Sequence, residues 1–561
     1  MAEQNTLKLY DFSGGLNTTS NNYFLEDNET PDCLNVTYTQ QGAIVKREGY
    51  EAILDTELGD QAVNGLYIFH EKDGTRHMLA SSGNTLYEIN TNNGTSTELK
   101  TGITEADTFF TTLDNKVWIC NGEDNLLFFD GTNVDTNPNA PVGKYIVANN
   151  NHIYIAGNDI HPSRLYYTEL DDNGLHEWWP TSDSNGESFT SSYDSWVDLD
   201  YSPIQYESEI LDTYERGEDY EMDYLNGRIK VLSSGNMSDS TSYDIDYSYK
   251  DGEMHYIDVR TNDGDKITGI TRQSGNLVIF KTNSIHVLYG TNADRYQLKE
   301  VIPNKGAIAP KSVVNINNYI YFLADDGIYT FNGSQVELMS QKINQLINRI
   351  NNPEDACGSW YKHQYFLTYA DQTSNYNNMV LVYNYLYESW TKYDNIHAKM
   401  WNNFDGSQDG QVNIGEVYFG DSRKGQIYQF GVGYDDAGDD ISLKYATKYY
   451  NFDSPEIVKT FREVLVDSIS QGEFNLDYDI DRGTSTGTYS IKGYEDKDIY
   501  QWGAVTWENL VWHVPKQVVF GTSMDYNAYG RALKVIIREE SSKPLNVFGV
   551  IFKYRPKRRR Y

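Results

Sequence analysis

The chain has 561 residues, a formal net charge of −35 and a pI near 4.6; that length suggests roughly three or four domains, or fewer where one large β array takes a bigger share. So acidic a surface argues against coating nucleic acid, which needs a basic face, and fits solubility, repulsion of DNA or cation binding. Cys33, Cys120 and Cys357 are odd in number and far apart, which excludes a disulfide framework and a CxxC metal knuckle, and no apolar run approaches the roughly 18 residues of a membrane-spanning helix.

The opening residues MAEQNTLKLY lack a secretory apolar region, so the six Asn-x-Ser/Thr sites at Asn17, Asn28, Asn35, Asn93, Asn236 and Asn332 read as polar turns. The 47 tyrosines are the most unusual feature of the composition. Tyrosine buries a large area while keeping one wet end, which suits β-rich assemblies and protein interfaces.

Residues 8–50 read KLYDFSGGLNTTSNNYFLEDNETPDCLNVTYTQQGAIVKREGY. The run Asp11-Phe12-Ser13-Gly14-Gly15-Leu16-Asn17, the stretch from Leu25 to Glu29, Asn35-Val36 and the closing GAIVKREGY together resemble the opening of tailed-bacteriophage virion proteins of the nozzle or head-to-tail adaptor type. There an FxGGLN start, an LxDNE middle and a GxLxxRxGY end lead into a β-propeller; Ile44 stands here where the pattern has Leu. The resemblance covers about 45 residues and is architectural beyond them. Physically, Gly14-Gly15 permits a turn that side chains would block. The segment suits an arm laid across a neighbour or a strand that closes the ring, and the two are compatible. Phe12, Gly14, Gly15, Leu16, Asn17, Arg47 and Tyr50 are its candidate interaction residues.

From residue 62 onward one hairpin grammar recurs. Its clearest copy, residues 314–333, reads VNINNYIYFLADDGIYTFNG: a polar turn, a strand over 319–324, a reversal at Asp325-Asp326-Gly327 and a second strand over 328–331. Looser copies lie at 78–89, 115–134, 150–168, 275–290, 364–383 and 415–430. About seven units at roughly 35 to 50 residues apart, outside one large gap, match the period of a four-stranded propeller blade. Three blades are expected from Ala62 to Trp179. An inserted β module follows, whose Asn226-Gly227 marks a turn and whose place on one propeller face suits contacts. A helix is expected from Ser340 to Asn351, with Ile343, Leu346, Ile347 and Ile350 on one face and Ser340 as N-cap. From about Asp440 the alternation reads as a separate β-sandwich. The expected fold is therefore mainly β: an N-terminal arm and ring-closing strand (1–60), blades (61–190), the module (191–260), further blades (261–438) and a C-terminal β-sandwich (439–561). The last residues, Arg555-Pro556-Lys557-Arg558-Arg559-Arg560-Tyr561, bring five cations into seven positions. Arg558, Arg559 and Arg560 could dock on an acidic groove of a neighbouring subunit, touch DNA or remain solvated.

Catalytic patterns are sparse. Asp477, Asp479 and Asp481 evoke a calcium loop, but Arg482 and Thr488 stand where its Gly and Glu belong, and strand alternation explains them better. The string Gly483-Thr484-Ser485-Thr486-Gly487 matches GxSxG without a helix after it, so a hairpin loop is the better reading. The ten histidines show no HExxH. No enzyme activity, cofactor or metal is expected. The resemblance implies a structural virion component made in the host cytoplasm: a ring of six copies that docks other tail proteins and lets DNA pass through an acidic lumen. A propeller that binds or cleaves host glycans, and a distal tail or baseplate component, are the alternatives.

Overall fold

The computed structural model describes residues 5–39, 41–170, 176–211, 213–402, 416–481, 486–491, 518–524 and 528–557. It is a seven-bladed β-propeller with a module inserted into blade three and a β-sandwich attached at blades six and seven.

Each recurring hairpin supplies the second and third strands of one blade, with an inner strand before it and an outer strand after it. Blade five shows why the sequence folds this way. Val314–Ile316, Tyr319–Leu323, Ile328–Phe331 and Val336–Leu338 pair antiparallel in order. Asn317 and Asn318, both at positive φ (51° and 64°), make the first reversal, a conformation that Asn tolerates better than other side chains. Ile320 and Phe322 pack on blade four, whereas Tyr321 and Leu323 pack towards blade six. Successive strand residues face opposite sides, so a blade covered on both faces reads as a continuous apolar run rather than an alternation. Asn315, grouped with the turn by sequence, lies in the inner strand.

The other inner strands are Val63–His70, Phe109–Leu113, Tyr145–Asn149, Ile267–Gln273, Cys357–Tyr361 and Ala398–Trp401. Neighbouring inner strands touch in sequence, and Ala398–Trp401 returns to Val63–His70, so the ring is closed. Blade seven takes its outer strand, Tyr50–Ala52, from the N-terminal segment, paired antiparallel with Ile427–Phe430. At one end of the axis the Lys311 ammonium, from the turn before blade five, lies 2.8 Å from Asp107, which precedes blade two; Lys399 of blade seven is 3.5 Å from the same carboxylate. Burial alone would raise the Asp107 carboxyl, but the two ammonium groups bring it below its ordinary value.

The sandwich is built from both ends of the chain. One sheet runs Val518–Ser523, Lys459–Ser470, Leu545–Pro556, Ile44–Lys46, Val36–Tyr38, with Asn5–Leu9 also along Leu545–Pro556. The other holds Asp32–Leu34, Asp439–Ala446, Ala532–Ser541, Phe474–Asp481 and Thr486–Ile491, and continues through Asp435–Asp436 and Tyr50–Ala52 into blade seven. Val464, Val550 and Phe552 of one sheet meet Leu476, Val535 and Ile537 of the other.

Three expectations need correction. The sandwich expected as a separate unit over 439–561 also takes strands Asn5–Leu9, Asp32–Leu34, Val36–Tyr38 and Ile44–Lys46 from the N-terminal segment and shares a sheet with blade seven. The helix over 340–351 is a 3-10 turn, Gln341–Ile343, followed by a single α turn, Asn344–Ile347. Its apolar stripe is packed against blades five and six, and Ser340 makes no cap: its hydroxyl accepts the Ile328 N–H and donates to Asn344. The insertion occupies 168–255 rather than 191–260, because its long strand Thr181–Thr190, TSDSNGESFT, has almost no apolar content to announce it. Blade three is consequently interrupted, and its outer strand, Tyr256–Asp258, follows the insertion. Among the described residues no helix is long and apolar enough to cross a membrane.

Candidate functional site

The N-terminal segment is threaded between the propeller and the sandwich of its own chain. Lys46 and Arg47 are adjacent in an extended stretch and therefore point to opposite sides. The Lys46 ammonium enters the sandwich, 2.5 Å from Glu539 Oε2 and bonded to the Ser541 carbonyl, with both partners of the ion pair fully buried. Arg47 faces the propeller. Its Nε donates to Asn35 Oδ1 (2.8 Å), Nη1 to Asp436 Oδ1 (2.8 Å) and the Glu48 carbonyl (3.0 Å), and Nη2 to Asp436 Oδ2 (2.6 Å) and the Asp394 carbonyl (3.0 Å). All five guanidinium protons are used, in the bidentate geometry that favours arginine over lysine.

Asn35 completes the joint. At φ 55°, its amide donates to Asp394 Oδ1 (2.6 Å) and the Ser442 carbonyl (2.7 Å), linking blade six to the sandwich. Burial, the dominant influence, lifts the Asp436 carboxyl above its ordinary value despite the opposing pull of Arg47, and does the same to Glu539 despite Lys46. Gly49 passes so close to the linker that a Cβ there would lie 1.8 Å from the Asp435 carbonyl oxygen.

The remaining arm candidates are also internal. Phe12 is 1% exposed and meets the Tyr445 ring edge-on at 5.5 Å. Leu16 is fully buried. Gly15, at φ 71°, lies against Ser389 and Trp390 of blade six, and a Cβ on Gly14 would strike Asn28. Asn17 donates to Glu29 Oε2 at 3.0 Å, and the Tyr50 hydroxyl donates to the Asn395 carbonyl at 2.7 Å. Of the two compatible expectations for this segment, these contacts fit the ring-closing strand: the residues pack within their own chain, against blades six and seven, the sandwich and the segment itself. Arg558, Arg559 and Arg560 lie outside the described residues.

Exposed aromatic surface gathers elsewhere. The insertion has its own core, with Ile204, Ile229, Val231 and Ile245 fully buried, yet exposes Tyr193, Trp196, Tyr201, Ile210 and Leu225. Between it and the outer strand of blade two runs a cleft of about 730 Å³ lined by Trp196, Tyr206 and Tyr224, by the acids Asp135, Glu221 and Asp223, and by the bases Lys100 and Arg216 among others. The insertion carries 22 acidic and four basic residues, a net −18 of the chain's −35. Sequence reading missed this concentration, although a running charge count over 168–255 exposes it. Among the described residues no group of His, Cys, Asp and Glu could hold a metal ion. Asp477, Asp479 and Asp481 lie along a strand with Tyr478 and Ile480 buried between them. Of the GxSxG string, Gly483, Thr484 and Ser485 lie outside the described residues.

No protein-family model and no curated protein matches the sequence. Among solved structures, a complex described as YCF48 bound to D1 peptide is similar at 10% identity over 70% of this chain and 97% of that one, with a TM-score of 0.35. BamB from Moraxella catarrhalis is similar at 12% identity over 67% of this chain and 99% of that one, with a TM-score of 0.31. AztD from Citrobacter koseri follows at 11% identity over 63% and 94%, with a TM-score of 0.28.

Proposed function

We propose that the chain is a structural component of a phage tail, of the nozzle or adaptor type, acting as a rigid protomer in a ring that surrounds the DNA path. The observation that carries this reading is the use made of the opening motif. Its Phe12, Gly15, Leu16, Arg47 and Tyr50 are buried or closely packed within the chain, and Arg47 with Asn35 ties blade six to the sandwich, which suits a body that must transmit force without deforming. A closed propeller adds stiffness and has no long free sheet edges.

In this reading the DNA conduit is the lumen between copies, because Lys311 and Asp107 bridge the propeller's own axis at one end. The chain's negative charge would repel DNA at short range and so limit adhesion during passage. The role is mechanical, with no bond made or broken by the protein. Negative-stain microscopy of the purified chain should show closed rings, and labelled virions should carry the label at the tail. Particles that remain single, or a monomer that binds or degrades host polysaccharide, would contradict this function.

A further inference from the structure

We propose that the insertion is the docking surface for the basic residues Arg558, Arg559 and Arg560 of a second copy of this chain, so that contacts run head-to-tail. This rests on the ring reading above and names its contact.

The insertion already shows how it holds cations. Each of its four basic residues lies over an aromatic ring: Arg216 over Tyr206 (5.0 Å) and Tyr224 (5.7 Å), Arg228 and Lys230 over Trp196 (5.5 and 5.0 Å), and Lys250 over Trp179 (5.2 Å). Three are also paired with carboxylates, Arg216 with Glu207, Arg228 with Asp223 and Lys230 with Glu221. An aromatic face with an adjacent carboxylate is the environment that suits an arginine, through stacking and a charge-assisted fork. With 22 acids to four bases, the module has far more carboxylates than its own cations can pair. The cleft beside Trp196, Tyr206 and Tyr224 has room for further side chains.

The densest run of cations in the sequence is 555–561, with five in seven positions. Its first residues leave the sandwich at Lys557, whose N–H bonds the Val458 carbonyl. Blade three, which bears the insertion, stands across the ring from blades six and seven, which bear the sandwich. The four residues beyond Lys557 reach about 14 Å when fully extended, less than the roughly 30 Å set by the strand spacings of two opposed four-stranded blades. The segment of one copy is therefore placed to meet the insertion of another, and a heterologous contact of this kind closes into a ring when the rotation permits.

The test uses the full chain. Sedimentation velocity should show an assembly that dissociates as salt is raised from about 50 to 500 mM, since screening shortens the reach of exposed charges. Reversing the tail with Arg558→Glu, Arg559→Glu and Arg560→Glu should leave monomers at low salt. A labelled RPKRRRY peptide should bind that tail-reversed chain, and at least tenfold more weakly when Asp135→Asn, Glu221→Gln and Asp223→Asn are added. Assembly of the tail-reversed chain like the unchanged one would overturn the proposed contact while leaving the ring reading intact, as would peptide binding that ignores the insertion substitutions. A chain that never assembles but binds the peptide through the insertion would support the docking surface and contradict the ring.

Discussion

The joint around Arg47 and the insertion on blade three use the same residue types for opposite ends. At the joint, charges are few, nearly water-free and matched: one guanidinium against one carboxylate, one ammonium against one carboxylate. In the insertion they are many, mostly wet and unmatched in number. A buried ion pair adds little net stability but is very costly to break, because the survivor is left charged and unsolvated; it fixes geometry. A surplus of exposed acids fixes nothing internally and remains available to a partner.

The comparison is tested most severely at the joint. Arg47→Met leaves Asp436 buried without its partner and should cost about 3–5 kcal/mol in denaturant unfolding of the whole chain; a loss under about 1 kcal/mol would show that the joint is not a constraint. Ile229→Ala, in the insertion core, should cost about 2–5 kcal/mol. That loss should appear in hydrogen exchange as faster opening of 181–250, with blades one and five unchanged; global loosening would deny the insertion its independence.

A smaller effect concerns Glu209, which is buried behind Tyr224 and accepts its hydroxyl proton at 2.7 Å. Burial, its largest influence, raises the carboxyl above its ordinary value. A carboxyl raised by folding holds its proton more tightly in the folded state. The stability it contributes is complete below the unfolded carboxyl range, about pH 4, and is lost as pH rises through the folded value. Glu209→Gln should therefore flatten the decline of insertion stability as pH rises above about 4, and an unchanged profile would contradict this account. The weakest effect is chemical. Burial pushes the Cys33 and Cys357 thiols to about 12 and raises Cys120 as well, so a thiol reagent should label none of the three in the native chain and all three after denaturation. Labelling of Cys33 alone would reveal an arm that detaches.

The blades were legible in the sequence because Asn-Asn and Asp-Gly reversals between two-sided apolar strands admit few other folds. Much of the rest was hidden by physical circumstances that can be named. Thr181–Thr190 pairs through its backbone with Ser242–Lys250 while its side chains remain polar, so no hydrophobic alternation marks it. Ile343, Leu346, Ile347 and Ile350 have helical spacing, but one α turn suffices to bury them. Arg47 was expected at a contact because of the motif that contains it; only Asp436, 389 residues later, shows that its partner lies within the chain. Gly14-Gly15 was readable as a turn that side chains would block, though not that it approaches Ser389 and Trp390 of blade six.

Hydrogen exchange of the intact chain measures the central claim most directly. If the N-terminal segment is a built-in tie between propeller and sandwich, amides of Ile44–Lys46, Tyr50–Ala52 and Asp439–Ala446 should exchange together, as slowly as those of blade seven and more slowly than those of 181–250. Rapid, independent exchange of the N-terminal strands while blade seven stays protected would contradict it.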